Sequence, residues 1–202
     1  MKLEEYLHLH PKKYLIFDLD ETLALLHMNW STITQDIFDL VATFDMSLVK
    51  ESPRERFAAI YLTNRAIQKH GKMALDKIHA FIDEYERINY SGYTPNKELI
   101  EFIKSNRNKV YLLSIWTTNT TRIVQDILLK EELTDRFSKI ITHDILTQLK
   151  PEKEGFSLIH IPNTPLSDYL LVGDSINDEG AAKNAGIDFF KIDYFSRQQN
   201  PG

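Results

Sequence analysis

Two aspartates one residue apart close a short apolar run, Tyr14-Leu15-Ile16-Phe17-Asp18-Leu19-Asp20. That spacing puts two carboxylates close together, and like charges at short range resist joint ionisation unless a cation or a shared proton relieves them. The pair therefore reads as a metal site or an acid–base couple. A second acidic group, Gly173-Asp174-Ser175-Ile176-Asn177-Asp178, follows the apolar run Tyr169-Leu170-Leu171-Val172. Glycine at its head lets the backbone turn sharply and approach a ligand. If the two runs are neighbouring strands, four carboxylates converge on one small volume. Oxygen ligands with no His or Cys cluster beside them favour a hard ion such as Mg²⁺ over zinc.

Groups that suit an anion lie between the acidic clusters. The run Asn108-Lys109-Val110-Tyr111-Leu112-Leu113-Ser114-Ile115-Trp116 ends in Thr117-Thr118-Asn119-Thr120, whose hydroxyls and amide can hydrogen-bond a phosphoryl oxygen. Ser114, Thr117 and Thr118 compete for that task; Thr118, beside Asn119 at the strand's end, is favoured. A helix through Ile123, Val124, Ile127 and Leu128 follows, and its amino end also favours an anion. Lys150 stands directly before Pro151, which pushes it toward an extended conformation. A lysine near four aspartates would be drawn to them.

The elements that must position these groups follow from apolar periodicity. Continuous apolar runs bounded by turn residues read as strands buried on both faces of a parallel sheet, whose chemistry gathers at the strands' carboxyl ends. After Asp174, Ser175 or Asn177 can cap a helix running through Glu179, Ala181, Ala182 and Ala185, which Gly186 would stop. Residues 27–92 have a different texture. Ile33, Ile37, Leu40, Val41 and Phe44, then Phe57, Ile60, Tyr61 and Ile67, then Ile78, Phe81, Ile82, Tyr85 and Ile88 recur at helical spacing. Ser31 is a candidate amino cap, Pro53 a start signal and Gly71 a stop, with Ser91-Gly92-Tyr93-Thr94-Pro95 as the return linker.

Composition sets bounds. With 202 residues, 43% of them hydrophobic, the chain can bury one core and a small accessory domain. The absence of cysteine excludes disulfides and thiolate metal sites. A net charge of -5 argues against a polymeric nucleic-acid surface. No segment has the pattern of a signal peptide or the length of a membrane span, so a soluble cytoplasmic protein is expected.

Asp18-Leu19-Asp20-Glu21-Thr22, Thr118-Asn119, Lys150-Pro151 and Gly173-Asp174-Ser175-Ile176-Asn177-Asp178 resemble, in order, the four motifs of the haloacid dehalogenase-like superfamily, most of whose members are Mg²⁺-dependent phosphatases. The resemblance implies that Asp18 is the nucleophile and Asp20 the general acid and base. Thr22 would steady their loop. Thr118, Asn119 and Lys150 would face the phosphoryl group, with Thr118 and Lys150 holding its oxygens. Asp18, Asp174 and the backbone carbonyl of Asp20 would bind Mg²⁺, and Asp178 would bind through water or orient Lys150. The position and helical character of residues 27–92 match the cap domains of the family's α-capped branch.

The expectation is an α/β protein. A Rossmann-like parallel sheet with helices on both faces is formed by residues 1–26 and 93–202, and a helical cap by residues 27–92. Its implied activity is hydrolysis of a small phosphorylated metabolite through an aspartyl-phosphate, without membrane or nucleic-acid partners. Two other readings stay open: a sugar-phosphate mutase of the same fold, and a regulatory module that binds phosphate or Mg²⁺ without turnover.

Overall fold

The computed structural model describes residues 2–30, 32–53, 58–106 and 110–195. In chain order its first elements are α1 (Leu3–Leu9), β1 (Tyr14–Phe17) and β2 (Ala24–Leu26). Four helices follow: α2 (Ile33–Ala42), α3 (Met46–Glu51), α4 (Ala58–His70) and α5 (Lys72–Asn89). Next come β3 (Tyr93–Pro95), α6 (Lys97–Ser105), β4 (Leu112–Trp116), α7 (Thr121–Lys130) and β5 (Phe137–Ile141). The last are α8 (Glu154–Ile159), β6 (Tyr169–Gly173), α9 (Ile176–Ala185) and β7 (Asp188–Lys191).

The chain divides into two compact units. One, residues 1–26, 93–146 and 150–202, is built on a five-stranded sheet in the order β5-β4-β1-β6-β7. All its pairings are parallel, and helices pack against it, so this is an α/β, Rossmann-like fold. Leu15, Ile16 and Phe17 of β1 and Leu170, Leu171 and Val172 of β6 are wholly buried, which is why both runs are apolar without alternation. β1 lies between β4 and β6, in register Phe17↔Ile115 and Phe17↔Val172. The ends of three adjacent strands thus meet at one place. α9 packs on β6 and β7 through Ala181, Ala182 and Ala185, and Gly186 closes it with a left-handed φ of 72°.

Beside this sheet, β2 and β3 form an antiparallel pair, Ala24↔Pro95 to Leu26↔Tyr93. The reading of Ser91 to Pro95 as a linker missed that pairing: three-residue strands are too short to show alternation. Asn96 then caps α6 by accepting from the Leu99 amide at 3.2 Å.

The second unit comprises residues 27–92 together with Thr147–Leu149. Its apolar core is drawn from α2 to α5, chiefly Ile37, Phe38, Val41, Leu48, Leu62, Ile67 and Ile78. Asp45 caps α3 by accepting from the amides of Ser47 and Leu48. Gly71, at φ 58°, separates α4 from α5. Thr32 occupies the amino-cap position of α2; the Ser31 and Phe57 readings fall outside the described residues. Among the described residues, no helix is long and apolar enough to cross a membrane.

Candidate active site

Asp18 and Asp174 are each placed by a strand end. Asp18 directly follows β1, and its amide still donates to the Val172 carbonyl at 2.9 Å, so the sheet ladder fixes it. Asp174 directly follows β6. Asp178 sits in the first turn of α9, which opens with a capping box: Ser175 Oγ accepts from the Asp178 amide at 3.2 Å, and Asp178 Oδ2 accepts from the Ser175 amide at 3.1 Å. Gly173 makes this possible, since a Cβ there would lie 2.6 Å from Asp178 Cβ and Cγ. Asp18, Asp174 and Asp178 each offer a carboxylate oxygen, all within 4.8 Å of one another.

Lys150 reaches into this cluster and is 2% exposed. Its ammonium donates to Asp18 Oδ1 at 2.5 Å, to the Trp116 carbonyl at 3.0 Å and to Asp178 Oδ1, which uses all three of its protons. The Trp116 ring lies 5.8 Å from Nζ. Burial alone would push Lys150 toward neutrality, but Asp178 and Asp18 outweigh it and hold the ammonium well above the ordinary lysine range.

One lysine does not balance this much acid. Burial, with Asp178 and Asp174 adding to it against the pull of Lys150, raises Asp18 to about 7. Burial, then Asp178 and Glu21, raises Asp174 to about 7. Carboxyls forced up together by burial and mutual repulsion match a donor set that a divalent cation would restore to the charged form. Oxygen-only chemistry suits Mg²⁺.

Asp20 lies on the loop beyond Asp18. Its Oδ1 accepts from the amides of Leu26 at 2.9 Å and Glu21 at 3.1 Å. Burial, opposed by the Leu26 bond and reinforced by Asp18, lifts it to about 7. Asp20 is outside the carboxylate trio. Thr22 is buried and its hydroxyl reaches toward Asp174 Oδ1 at 3.5 Å.

The three candidate hydroxyls separate. Ser114 is buried within β4 and faces Ser138 Oγ at 3.4 Å. Thr117 donates to Asn119 Oδ1 at 2.9 Å and accepts from the Asn119 amide at 3.2 Å. Thr118 is partly exposed, and its side chain makes no hydrogen bond among the described residues. Asn119 is buried with its amide oxygen committed to Thr117, so it shapes the turn that carries Thr118. At the amino end of α7 the Thr121 amide donates to Asp144 Oδ2 at 2.6 Å, so a carboxylate of the chain itself sits at this helix end. Trp116, Ser175 and Asp144 were not singled out from the sequence as site residues. Of these, only Ser175 carried a signal, its Ser-x-x-Asp spacing before a helix.

A Rossmann-like sheet bearing an Asp-x-Asp turn after its central strand, an acidic turn after the neighbouring strand and a buried lysine between them defines the haloacid dehalogenase-like superfamily. The model of the haloacid dehalogenase-like hydrolase family matches residues 15–192, and the chain belongs to that family. The phosphoglycolate phosphatase of Vibrio cholerae serotype O1 is 30% identical over 121 residues, 57% of this chain and 52% of that protein. The chain thus spans about half the length of the curated relatives it matches. A protein described as a predicted phosphoglycolate phosphatase from Haemophilus somnus has a similar structure, with TM-score 0.53, 25% identity and coverage of 91% of this chain and 86% of that one. A subfamily IA hydrolase of the superfamily from Geobacter sulfurreducens shares the fold at TM-score 0.51 and 21% identity, covering 89% and 86% of the two chains.

Proposed function

We propose that this protein is a Mg²⁺-dependent phosphatase that hydrolyses a small phosphate monoester through an aspartyl-phosphate on Asp18, acting on a soluble metabolite in the cytoplasm. The observation that carries the reading is geometric: Asp18 is held by Lys150 at 2.5 Å within the carboxylate trio, while Asp20, two residues on, lies outside that trio and is bonded by the Leu26 and Glu21 amides. One carboxylate is positioned to attack; the other keeps a proton to give near neutral pH.

Asp18 forms a bond to phosphorus as the ester P–O bond breaks, and the leaving oxygen takes its proton from Asp20. Water then attacks phosphorus, yields a proton to Asp20 and frees Asp18 with release of orthophosphate. The Thr118 hydroxyl holds a phosphoryl oxygen, and Lys150 turns the proton it gives to Asp18 onto the phosphoryl group as Asp18 bonds phosphorus, stabilising the charge there. Asp18, Asp174 and the Asp20 carbonyl would hold Mg²⁺, which when bound would supply further charge neutralisation at the phosphoryl group. Asp178, with its oxygens committed to Lys150 and Ser175, orients the lysine.

The names of the relatives make phosphoglycolate the first substrate to try. Orthophosphate release should be followed on a panel of phosphorylated acids, sugar phosphates and nucleoside monophosphates, with Mg²⁺ and with EDTA. Release that needs Mg²⁺ and disappears in Asp18→Asn supports the reading. Phosphoryl transfer between sugar hydroxyls without phosphate release would replace it with a mutase.

A further inference from the structure

Gly180 stands in the interior of α9, where glycine is a poorer helix former than alanine, and the reaction above does not use it. Its backbone is ordinary helix, so conformation does not call for glycine there. Space does. A Cβ at this position would lie 2.9 Å from Pro151 Cβ and 3.9 Å from its Cγ, and carbon atoms rest about 3.5–4.0 Å apart. The helix gives up propensity so that the proline ring can lie against its backbone. One turn on and on the same face, Asn184 donates from Nδ2 to the Pro151 carbonyl at 2.9 Å. A proline has no N–H, so that carbonyl is the backbone hydrogen-bonding group Pro151 has to offer. Lys150, Pro151 and α9 all belong to the sheet-bearing unit.

Pro151 is peptide-bonded to Lys150, and α9 also carries Asp178, which accepts from the Lys150 ammonium. One helix thus meets the lysine at both ends, its backbone through Pro151 and its head through Asp178. We propose that Gly180 and Asn184 are positioning residues for Lys150. By seating Pro151 on α9, they fix how far the Lys150 backbone stands from Asp178. The ammonium then arrives between Asp178 and Asp18 with its third proton on the Trp116 carbonyl. The two residues divide the task. Gly180 sets the distance, by leaving no side chain between helix and ring. Asn184 sets the direction of the Pro151 carbonyl, which needs a donor that alanine lacks. The proposal rests on the role given above to Lys150 at the phosphoryl group.

The test compares Gly180→Ala and Asn184→Ala with Ala182→Gly, which weakens the same helix on its buried side, about 160° around from Gly180 at 3.6 residues per turn. Thermal unfolding, kcat and KM for Mg²⁺-dependent phosphate release, and the crystal structure of each variant are the readouts. Gly180→Ala should lower kcat by about 10- to 100-fold with a smaller change in KM, although alanine is the better helix former. Asn184→Ala, which removes one solvent-exposed bond, should lower kcat by about 2- to 10-fold. Ala182→Gly should lose stability and keep kcat. In Gly180→Ala, Pro151 should stand further from α9 and Lys150 Nζ should leave hydrogen-bond distance of Asp178. Should that variant fail to fold, Asn184→Ala, which adds no atom, carries the comparison. Wild-type kcat in Gly180→Ala, Lys150 unmoved between Asp18 and Asp178, or a kcat loss that Ala182→Gly reproduces would overturn the proposal. A wild-type protein without phosphatase activity, in which Lys150 still moves in Gly180→Ala, would sink the phosphatase reading and leave the positioning role standing.

Discussion

Replacing Gly173 by alanine should uncouple Lys150 from the acidic cluster. The added Cβ would sit 2.6 Å from Asp178 Cβ and Cγ and 2.8 Å from its Oδ2. Carbon atoms rest about 3.5–4.0 Å apart, so the two residues must separate by about 1 Å. β6 cannot supply that movement easily, because Gly173 pairs with Lys191 of β7 and its carbonyl accepts from the Ile192 amide at 2.8 Å. Asp178 must move instead, and both of its oxygens are in use, one on Lys150 and one on Ser175. Overpacking of this kind destabilises by about 1–3 kcal/mol, a fall in Tm on the order of 5 °C for a chain of this size. A catalytic group displaced by about 1 Å loses activity by roughly 10²-fold. The assay is kcat for phosphate release at saturating Mg²⁺, with Tm measured on the same preparations. Wild-type kcat and Tm in Gly173→Ala would refute the claim that close approach of Asp178 to the β6 turn sets the lysine.

Three further outcomes are expected. Gly155→Ala would place a Cβ 2.1 Å from Nε1 of the wholly buried Trp116; urea unfolding should show a loss of about 1–3 kcal/mol, and an unchanged midpoint would contradict the packing described. In the helical unit, bonds from Lys69, Ser47 and His70 hold the Asp45 carboxyl well below the usual range. Its contribution is therefore complete above the unfolded-state value of about 3.9 and is lost as pH falls below it. Wild type should be more stable than Asp45→Asn at neutral pH, by a margin that shrinks below about pH 4; a margin independent of pH in urea unfolding counts against this. Asp20→Asn should lose about 10²- to 10⁴-fold in turnover with Mg²⁺ affinity, measured calorimetrically, little changed; undiminished turnover would remove Asp20 from its acid–base role.

Much of the sheet was legible because β1 and β6 are buried on both faces, and such strands must be apolar throughout. Asp18 and Asp174 interrupt that apolarity at the strand ends, and their charge is what made the site visible. The short pair β2 and β3 left no trace, since three residues give no period. Backbone partners were equally silent. The Trp116 carbonyl binds Lys150, yet a carbonyl is carried by every residue and marks nothing in a sequence. Contacts between distant segments were hidden for a different reason. Asp144 reaches Thr121 and Asn64 reaches Leu149 across long stretches of chain, and neither pair has a spacing that periodicity can detect. Thr118 was favoured from its place beside Asn119; that Thr117 and Ser114 have hydroxyl partners of their own is visible only in the structure.

The role proposed for Asp18 as the nucleophile can be read chemically. Wild-type protein with Mg²⁺ should be mixed with a radiolabelled phosphate monoester that it turns over, quenched in acid, reduced with borohydride and mapped by peptide mass spectrometry. An acyl-phosphate on Asp18 predicts acid-stable label on the protein before reduction and homoserine at position 18 after it, neither of them in Asp18→Asn. Phosphate release with no label on the protein, or label carried by another residue, would contradict it.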